Sequence, residues 1–172
     1  FQAPDYYNVD ELLTDEHKLV RDSAREWVKR EVSPIIEDYA QKAEFPKQII
    51  KGLAEIGAFG PYIPEEYGGN PLDTHSNTLI SEELGRGNGS FSTSLAAHTG
   101  IGMLPILYFG SEELKKKYLP DLSSGSLKAS YCLTEPSSGS DALSAKSQAK
   151  LSEDGKNYIL NGQKMWISNA GF

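Results

Sequence analysis

Residues 131–141 read YCLTEPSSGSD, a strand-like run that breaks at Pro136 into a loop rich in hydroxyl groups. Such a loop can aim backbone N–H groups at a phosphate, although by composition alone a polar surface turn is the commoner outcome. Residues 161–169 read NGQKMWISN. A strand there would place Trp166 and Ser168 on one face, because side chains alternate along a strand. Half-buried packing beside a solvated serine would give the same spacing.

Around these two stretches the composition of the sequence changes from one typical of helices to one typical of strands. Strand-like composition covers residues 129–134 and 146–151 and two runs within residues 157–167. Hairpin turns are expected at two dipeptides that tolerate positive φ, Asp154-Gly155 and Asn161-Gly162. We therefore expect a β-barrel-like domain that begins at residue 128 and is incomplete at residue 172, where a strand edge would remain unpaired.

Residues 1–127 carry helical periodicity. Apolar residues recur in three- and four-residue steps at Val20, Ala24, Trp27, Val28, Val32, Ile35, Ile36 and Tyr39. Pro34 lies inside this stripe and should kink or restart the helix. Further helices are expected from about Pro46 to Gly57, over residues 74–85 and 92–107, and from Ser111, with an ordered loop at residues 60–71. The sequence thus predicts an α+β protein with an all-α domain over residues 1–127 and a partial β-domain over residues 128–172.

The composition of the chain argues against two classes of binding partner and indicates a compartment. The chain has 24 acidic and 17 basic residues and a net charge of −7, which disfavours nucleic acid and anionic membranes. Its longest apolar stretch, residues 100–110, is about half of what a membrane span requires. A single cysteine, Cys132, fits a reducing compartment and is expected as a packed thiol. We expect a soluble protein of the cytoplasm, or of the mitochondrial matrix if the source is eukaryotic.

The histidines offer no metal-ligand spacing. His17, His75 and His98 are far apart in the sequence, so we expect them to lie apart in ordinary surface or boundary positions and expect no metal site.

The two stretches together, behind a helical region, resemble the flavin-binding signature of the acyl-CoA dehydrogenase family. The resemblance extends to GSEELKKKYLP at residues 110–120, PEEYGG at residues 64–69 and EEL at residues 82–84, so it covers nearly the whole chain. It implies a helical domain, a middle β-domain and a C-terminal four-helix domain. The first and part of the second fall within these residues.

The resemblance implies FAD as cofactor and assigns its contacts to Tyr131, Cys132, Leu133, Thr134, Gly139, Ser140, Trp166, Ile167 and Ser168. The Thr134 hydroxyl would bond the pyrimidine edge of the flavin, and Trp166 would pack against the ring. Ser168, where many relatives carry threonine, would offer its hydroxyl to flavin N5. Ser140 would also contact the pantetheine-phosphate arm of the substrate.

The implied reaction is α,β-dehydrogenation of an acyl-CoA thioester to a trans-2-enoyl-CoA, a step of fatty acid β-oxidation in lipid metabolism. The family's general base is a glutamate of the C-terminal domain, and no residue of this chain matches it. We therefore assign no catalytic residue here and expect the base beyond residue 172. Residues 1–172 alone are expected to be inactive and to bind FAD weakly or not at all.

The sequence gives two different indications of the acyl group of the substrate. The N-terminal third resembles the glutaryl-CoA branch of the family and the remainder the long- and very-long-chain branch. Where the glutaryl-CoA branch carries an arginine for the substrate carboxylate, this chain has Ser92 after Phe91. Because an unpaired buried carboxylate is costly, a plain fatty acyl chain is favoured over glutaryl-CoA dehydrogenation.

Two other classes remain open. An acyl-CoA oxidase-like enzyme would let oxygen reach the reduced flavin, and a non-catalytic acyl-CoA-binding or interaction module would lack redox chemistry. For a dehydrogenase, the resemblance implies an electron-transferring flavoprotein as electron acceptor and a homo-oligomer when the protein is full length.

Overall fold

The computed structural model describes residues 4–171. Within that range the chain forms seven α-helices and a two-stranded antiparallel sheet. The helices are α1 (Asp15–Trp27), α2 (Ile36–Gln41), α3 (Ile49–Glu55), α4 (Thr74–Gly87), α5 (Gly89–Ala96), α6 (Leu104–Phe109) and α7 (Glu112–Ser123), and the strands are β1 (Gln148–Leu151) and β2 (Tyr158–Asn161). The predicted order, a helical domain followed by the start of a sheet, is confirmed.

The first helix begins at a capping box and is interrupted near the predicted proline. The Thr14 side chain accepts the N–H of His17, and the His17 ring accepts the N–H of Thr14, which satisfies two donors at the start of α1. The helix loosens into a π-helical turn over Val28–Val32 and stops before Pro34. It restarts as α2 at Ile36, so the expected break is confirmed.

The predicted single helix over residues 92–107 is wrong in detail. It starts earlier, because the Asn88 side chain accepts the N–H groups of Ser90 and Phe91 and so caps α5. A π-helical turn then covers Ala97–Gly102, and Pro105, which lacks a donor, stands in the first turn of α6. The segment is therefore three helical pieces.

The main core lies between α1, α3, α4 and α5. Its fully buried members are apolar and include Trp27, Val28, Val32, Leu53, Phe59, Leu84 and Phe91. One charged group enters this core: Glu83 is 2% exposed at its side chain and accepts two hydrogen bonds from Arg25, at 2.7 and 3.1 Å. Because both partners are held by opposite helices, this pair fixes α1 against α4.

A second apolar cluster joins the ordered loop to α7. It contains Ile63, Tyr67, Met103, Leu119 and Leu122, all buried. The Tyr67 hydroxyl donates to Glu112 at 2.7 Å, which secures the loop of residues 60–71 to the start of α7.

The β-part contains fewer strands than the sequence predicts. β1 and β2 pair from Gln148–Asn161 to Leu151–Tyr158, and the hairpin turns at Asp154-Gly155, as expected, with Gly155 at φ 69°. The expected hairpin at Asn161-Gly162 is wrong: β2 ends there, and no strand follows within the described residues. The expected strand over residues 129–134 is also wrong, because those residues form no β-ladder; the carbonyl oxygen of Thr134 accepts one bond, from the N–H of Met165.

Among residues 4–171, no helix is both long enough and apolar enough to cross a membrane.

Candidate functional site

The two stretches singled out by sequence lie side by side. The main-chain N–H of Met165 donates to the carbonyl oxygen of Thr134 at 2.9 Å, and the Lys164 ammonium group donates to the carbonyl oxygen of Leu133, also at 2.9 Å. Residues 31 positions apart in the chain are therefore neighbours. The two stretches thus meet in the folded chain.

A buried carboxylate holds this junction together. Glu135 is 5% exposed and accepts hydrogen bonds from Lys164 Nζ at 2.8 Å, Lys146 N at 2.6 Å and Ser147 N at 3.0 Å. The Lys164 ammonium group and these N–H donors lower the pKa of Glu135 to about 2. Three segments thus meet on one anion. Sequence reasoning placed Glu135 in the flavin motif without a role, and its position between a strand-like run and a proline gave no sign of the three donors.

The expected strand around Trp166 and Ser168 is wrong. Trp166 has φ 58° and Asn169 has φ 67°, so the chain bends twice within four residues and cannot continue a strand. The same-face argument for Trp166 and Ser168 therefore does not apply. Both residues are nevertheless exposed, with Trp166 at 85% of its full accessibility.

Asn169 anchors this bent segment to the helical domain. Its Nδ2 donates to the carbonyl oxygens of Ser94 at 2.9 Å and of Ala129 at 3.2 Å, and the Ser94 hydroxyl donates to its Oδ1. Sequence reasoning missed this residue, because an asparagine in a turn has many local roles and its partners lie 40 and 75 positions away.

The junction presents apolar side chains to the outside. Tyr131, Leu133 and Trp166 are all large, apolar and exposed, and Thr134 is half-buried beside them. Exposed aromatic and aliphatic groups gathered at one place are typical of a binding surface. Cys132 is exposed as well, so the expectation of a packed thiol is wrong: without a strand on a sheet, its side chain has no layer to enter.

A groove of about 890 Å³ lies between this segment and the helical domain. It is lined by residues of α5 on one side and of the bent segment on the other, among them Ser90, Thr93, Ser94, Ile167, Ser168 and Asn169. That volume is in the range of pockets that hold cofactors and drug-sized ligands. Ser168 thus lies at the wall of a ligand-sized groove.

The loop that contains Gly139 and Ser140 is exposed to solvent. Both residues are exposed, and the Ser138 hydroxyl donates to the carbonyl oxygen of Asp141 at 2.7 Å, which closes the turn behind them. A Cβ atom at Gly139 would meet no described atom within 4 Å. Packing within the described residues therefore does not require glycine there.

His98 is a buried structural residue, contrary to the surface or boundary role expected for it. It is 1% exposed, its Nε2 donates to the carbonyl oxygen of Leu122 at 2.9 Å, and its Nδ1 accepts the N–H of Ala129 at 2.9 Å. Burial lowers the pKa of His98 to about 4. The neutral ring thus connects α7 to the residues that lead into Tyr131.

The expectation that the histidines lie apart is wrong for His17 and His75. Their ring centroids are 5.4 Å apart, and Asp73 lies between them, 3.3 Å from His17 Nε2 and 3.5 Å from His75 Nδ1. Asp73 also caps α4 by accepting the N–H groups of His75 and Ser76. The Ser76 hydroxyl, which donates to Asp73 at 2.6 Å, and these N–H groups lower the pKa of Asp73 to about 2. His17 Nδ1 accepts the Thr14 N–H, so its proton lies on Nε2, toward Asp73. We interpret the cluster as a bridge between two helix starts.

The chain belongs to the acyl-CoA dehydrogenase family. Residues 14–126 match the family model of the acyl-CoA dehydrogenase N-terminal domain, and residues 130–172 match that of the middle domain. These matches, the helical fold and the early sheet agree with the resemblance read from the sequence.

Relatives support the same assignment. A probable acyl-CoA dehydrogenase of Bacillus subtilis is 50% identical over 163 residues, which are 94% of this chain and 27% of the relative. The crystal structure of an acyl-CoA dehydrogenase complexed with FAD from Bacillus anthracis matches with a TM-score of 0.88 at 44% identity, over 98% of this chain and 30% of that one. Butyryl-CoA dehydrogenase of Megasphaera elsdenii matches with a TM-score of 0.86 at 32% identity, over 92% and 42%. The chain thus spans well under half the length of these relatives.

Proposed function

We propose that this chain forms the helical domain and part of the flavin-binding β-domain of an FAD-dependent acyl-CoA dehydrogenase, divided near residues 127 and 128. The observation that carries the proposal is the junction of residues 131–135 with residues 164–169. The large side chains of Tyr131, Leu133 and Trp166 are exposed there, and Ser168 of the same segment lines the groove. FAD, when bound, would supply the two-electron acceptor for the β-hydride of the substrate.

The residues at the junction fit a flavin. An isoalloxazine ring is flat and apolar on its faces and has hydrogen-bonding atoms at its edges. Trp166, exposed at 85%, offers an aromatic surface that a ring would cover, and Tyr131 and Leu133 offer further apolar area. Thr134 and Ser168 offer hydroxyl donors, the first for the pyrimidine edge and the second for N5. Donors at these edges stabilise the negative charge of the reduced state.

The remaining proposed cofactor contacts are Cys132, Ile167, Gly139 and Ser140. Cys132 is exposed beside Tyr131, and Ile167 lines the groove next to Ser168. Gly139 and Ser140 lie on the open loop, whose backbone and hydroxyl can reach a phosphate. We assign Ser140 a second contact, with the pantetheine-phosphate arm of an acyl-CoA.

The proposed substrate is an acyl-CoA with a plain acyl chain. Ser92 follows the fully buried Phe91, and its hydroxyl lies 3.5 Å from the carbonyl oxygen of Ser81, with no cation at that position. A dicarboxylate substrate would need such a cation to offset its desolvation. The proposed electron acceptor is an electron-transferring flavoprotein, and the proposed assembly is a homo-oligomer. We assign the general base to no residue of this chain.

The test uses the protein expressed from its complete coding sequence. We expect a yellow protein with a flavin absorption band that bleaches when acyl-CoA is added without oxygen. A series of acyl-CoA lengths, with glutaryl-CoA as the dicarboxylate control, identifies the substrate. Absence of bound flavin, or no bleaching with any acyl-CoA, would overturn the proposal in favour of a non-catalytic acyl-CoA-binding module. Stoichiometric hydrogen peroxide in air would indicate an oxidase, whereas reduction of an electron-transferring flavoprotein supports a dehydrogenase.

Residues 1–172 alone are a separate case. Both strands of the hairpin are exposed along their whole length, and the groove beside Ser168 is open. We propose that this piece binds FAD weakly and has no dehydrogenase activity. Flavin absorbance that stays with the 172-residue protein through gel filtration would contradict this.

A further inference from the structure

We propose that Asn169 is a positioning residue, which holds Ser168 at the groove by tying the bent segment to α5 and to Ala129. The inference rests on the proposed function, because it concerns how the Ser168 hydroxyl is presented to flavin N5. It adds a residue that touches neither flavin nor substrate and acts through its neighbour.

The first observation is the number of bonds from one side chain. Asn169 Nδ2 donates to the carbonyl oxygens of Ser94 and Ala129, and its Oδ1 accepts the Ser94 hydroxyl. Both hydrogens of the amide are therefore used, and the oxygen has a partner as well. The two anchor points lie in different parts of the fold: Ser94 lies in α5, and Ala129, at the start of the β-part, is itself held through its N–H by the buried His98.

The second observation is the backbone of the segment. Trp166 and Asn169 both have positive φ, and the Ala170 N–H donates to the carbonyl oxygen of Ile167 at 3.3 Å. Ser168 thus lies inside a tight turn between two left-handed residues. Glycine adopts positive φ with less strain than asparagine does. The side chain of Asn169 therefore has a purpose that the turn alone does not explain, namely its bonds to Ser94 and Ala129.

The consequence for Ser168 is geometric. At the other end of the segment, Lys164 and Met165 are bonded to Glu135, Leu133 and Thr134. Asn169 supplies the second fixed end, so the intervening residues, Ser168 among them, are held at both sides. Without it, the turn would lose its bonds to Ser94 and Ala129 and would sample orientations that point the hydroxyl away from the groove. Loss of orientation of a donor lowers the rate of the step that it assists.

The test compares variants that separate the side chain from the backbone. Asn169→Gly keeps the positive φ and removes all three side-chain bonds. Ser94→Ala removes only the hydroxyl bond to Oδ1. Asn8→Gly is the matched control, because Asn8 is an asparagine at φ 53° whose side chain makes no capping bond. Each is made in the protein from its complete coding sequence, and Asn169→Gly is also made in the Ser168→Ala background.

Two measurements are taken. Amide hydrogen exchange of the peptide covering residues 165–171 is measured in the flavin-free protein and reports the anchoring itself. The rate of flavin reduction at saturating acyl-CoA is measured in the flavin-loaded protein. We expect Asn169→Gly to exchange faster and to reduce flavin about tenfold more slowly, with smaller effects for Ser94→Ala and none for Asn8→Gly. In the Ser168→Ala background, Asn169→Gly should cause little further loss, because both changes act on the same contact.

Three outcomes would count against the inference. Unchanged exchange in Asn169→Gly would show that the side chain does not anchor the segment. An equal fold loss of rate in both backgrounds would show that Asn169 acts by a route other than Ser168. Faster exchange in a protein that takes up no FAD would leave the anchor in place but overturn its assigned purpose, together with the proposed function. A melting temperature equal to wild type excludes a general loss of fold as the cause.

Discussion

The ammonium group of Lys164 lies 2.8 Å from Oε1 of Glu135, 29 positions earlier in the chain, and Glu135 is almost fully buried. This ion pair joins the two sequence stretches that define the candidate site. The same carboxylate accepts the N–H groups of Lys146 and Ser147, just before β1. One charged group therefore holds three segments together. Two of them, residues 131–135 and 164–169, contain seven of the nine proposed cofactor contacts.

The first prediction concerns this carboxylate. Glu135→Gln removes the negative charge that pairs with Lys164, and its amide NH₂ group would face other hydrogen-bond donors. We therefore expect a lower melting temperature and FAD binding that is weakened about tenfold. The matched control is Glu153→Gln, at an exposed glutamate in the turn of the hairpin. Thermal unfolding and titration of the flavin-free protein with FAD measure the two effects. Wild-type values for Glu135→Gln would contradict the assigned role.

The acid stability of the protein should report the same group. The folded-state pKa of Glu135 is about 2, below its ordinary value of 4.5. The stabilisation from the ionised form is therefore fully present above pH 4.5 and is lost as the pH falls toward 2. We expect urea unfolding to show a smaller loss of stability between pH 5 and pH 3 in Glu135→Gln than in wild type. An identical pH dependence of the two proteins would refute this.

The third prediction separates the roles of two proposed flavin contacts. Ser168→Ala removes a donor from flavin N5 and should slow flavin reduction by roughly 10- to 100-fold while FAD stays bound. Trp166→Ala removes aromatic area and should mainly raise the dissociation constant for FAD. Stopped-flow reduction and equilibrium dialysis distinguish the two. Ser23→Ala, at an exposed position of α1, serves as control. Equal reduction rates for wild type and Ser168→Ala would remove the N5 assignment.

The fourth prediction follows from the buried His98. Its pKa falls from 6.5 to about 4 on folding, because burial disfavours the charged ring. The unfolded chain binds a proton below pH 6.5 and the folded protein does not until about pH 4, so stability falls as the pH drops through this window. The full effect is roughly 3 kcal/mol at 1.36 kcal/mol per pKa unit.

Chemical unfolding at pH 4.5 and pH 7 measures this effect. We expect His98→Gln to be less stable than wild type at pH 7 but to lose less on acidification. Ser23→Ala, at an exposed position of α1, should keep the wild-type dependence. Parallel curves for wild type and His98→Gln would show that the ring does not titrate as described.

The fifth prediction concerns the ion pair inside the helical core. Arg25→Met leaves the buried Glu83 with only Arg86, whose Nε is 3.3 Å away, and should destabilise the protein by about 3 kcal/mol. Lys29→Met breaks an exposed pair with Glu26 and should change stability by less than about 1 kcal/mol. In the double variant Arg25→Met/Glu83→Leu, part of the loss should be recovered, because no buried charge remains unpaired. Urea unfolding checks all three.

The sequence by itself determined the order of the elements and the family. Apolar steps of three and four residues predicted α1 and its break at Pro34, and Asp154-Gly155 predicted the hairpin turn, because helix periodicity and turn chemistry act over a few neighbouring residues. The motifs around Thr134 and Trp166 identified the two stretches that meet. These features depend on local geometry, and the local sequence specifies them.

Tertiary structure alone decided how the site is held. Three contacts hold it: Glu135 with Lys164, Asn169 with Ser94, and His98 with Ala129. They span 29, 75 and 31 positions, and no local sequence pattern predicts them. The tertiary structure also replaced the expected strand at Trp166 with two left-handed bends and brought His17 to His75. A buried polar group needs a partner but not one close in sequence, so its partner depends on which segments the fold brings together.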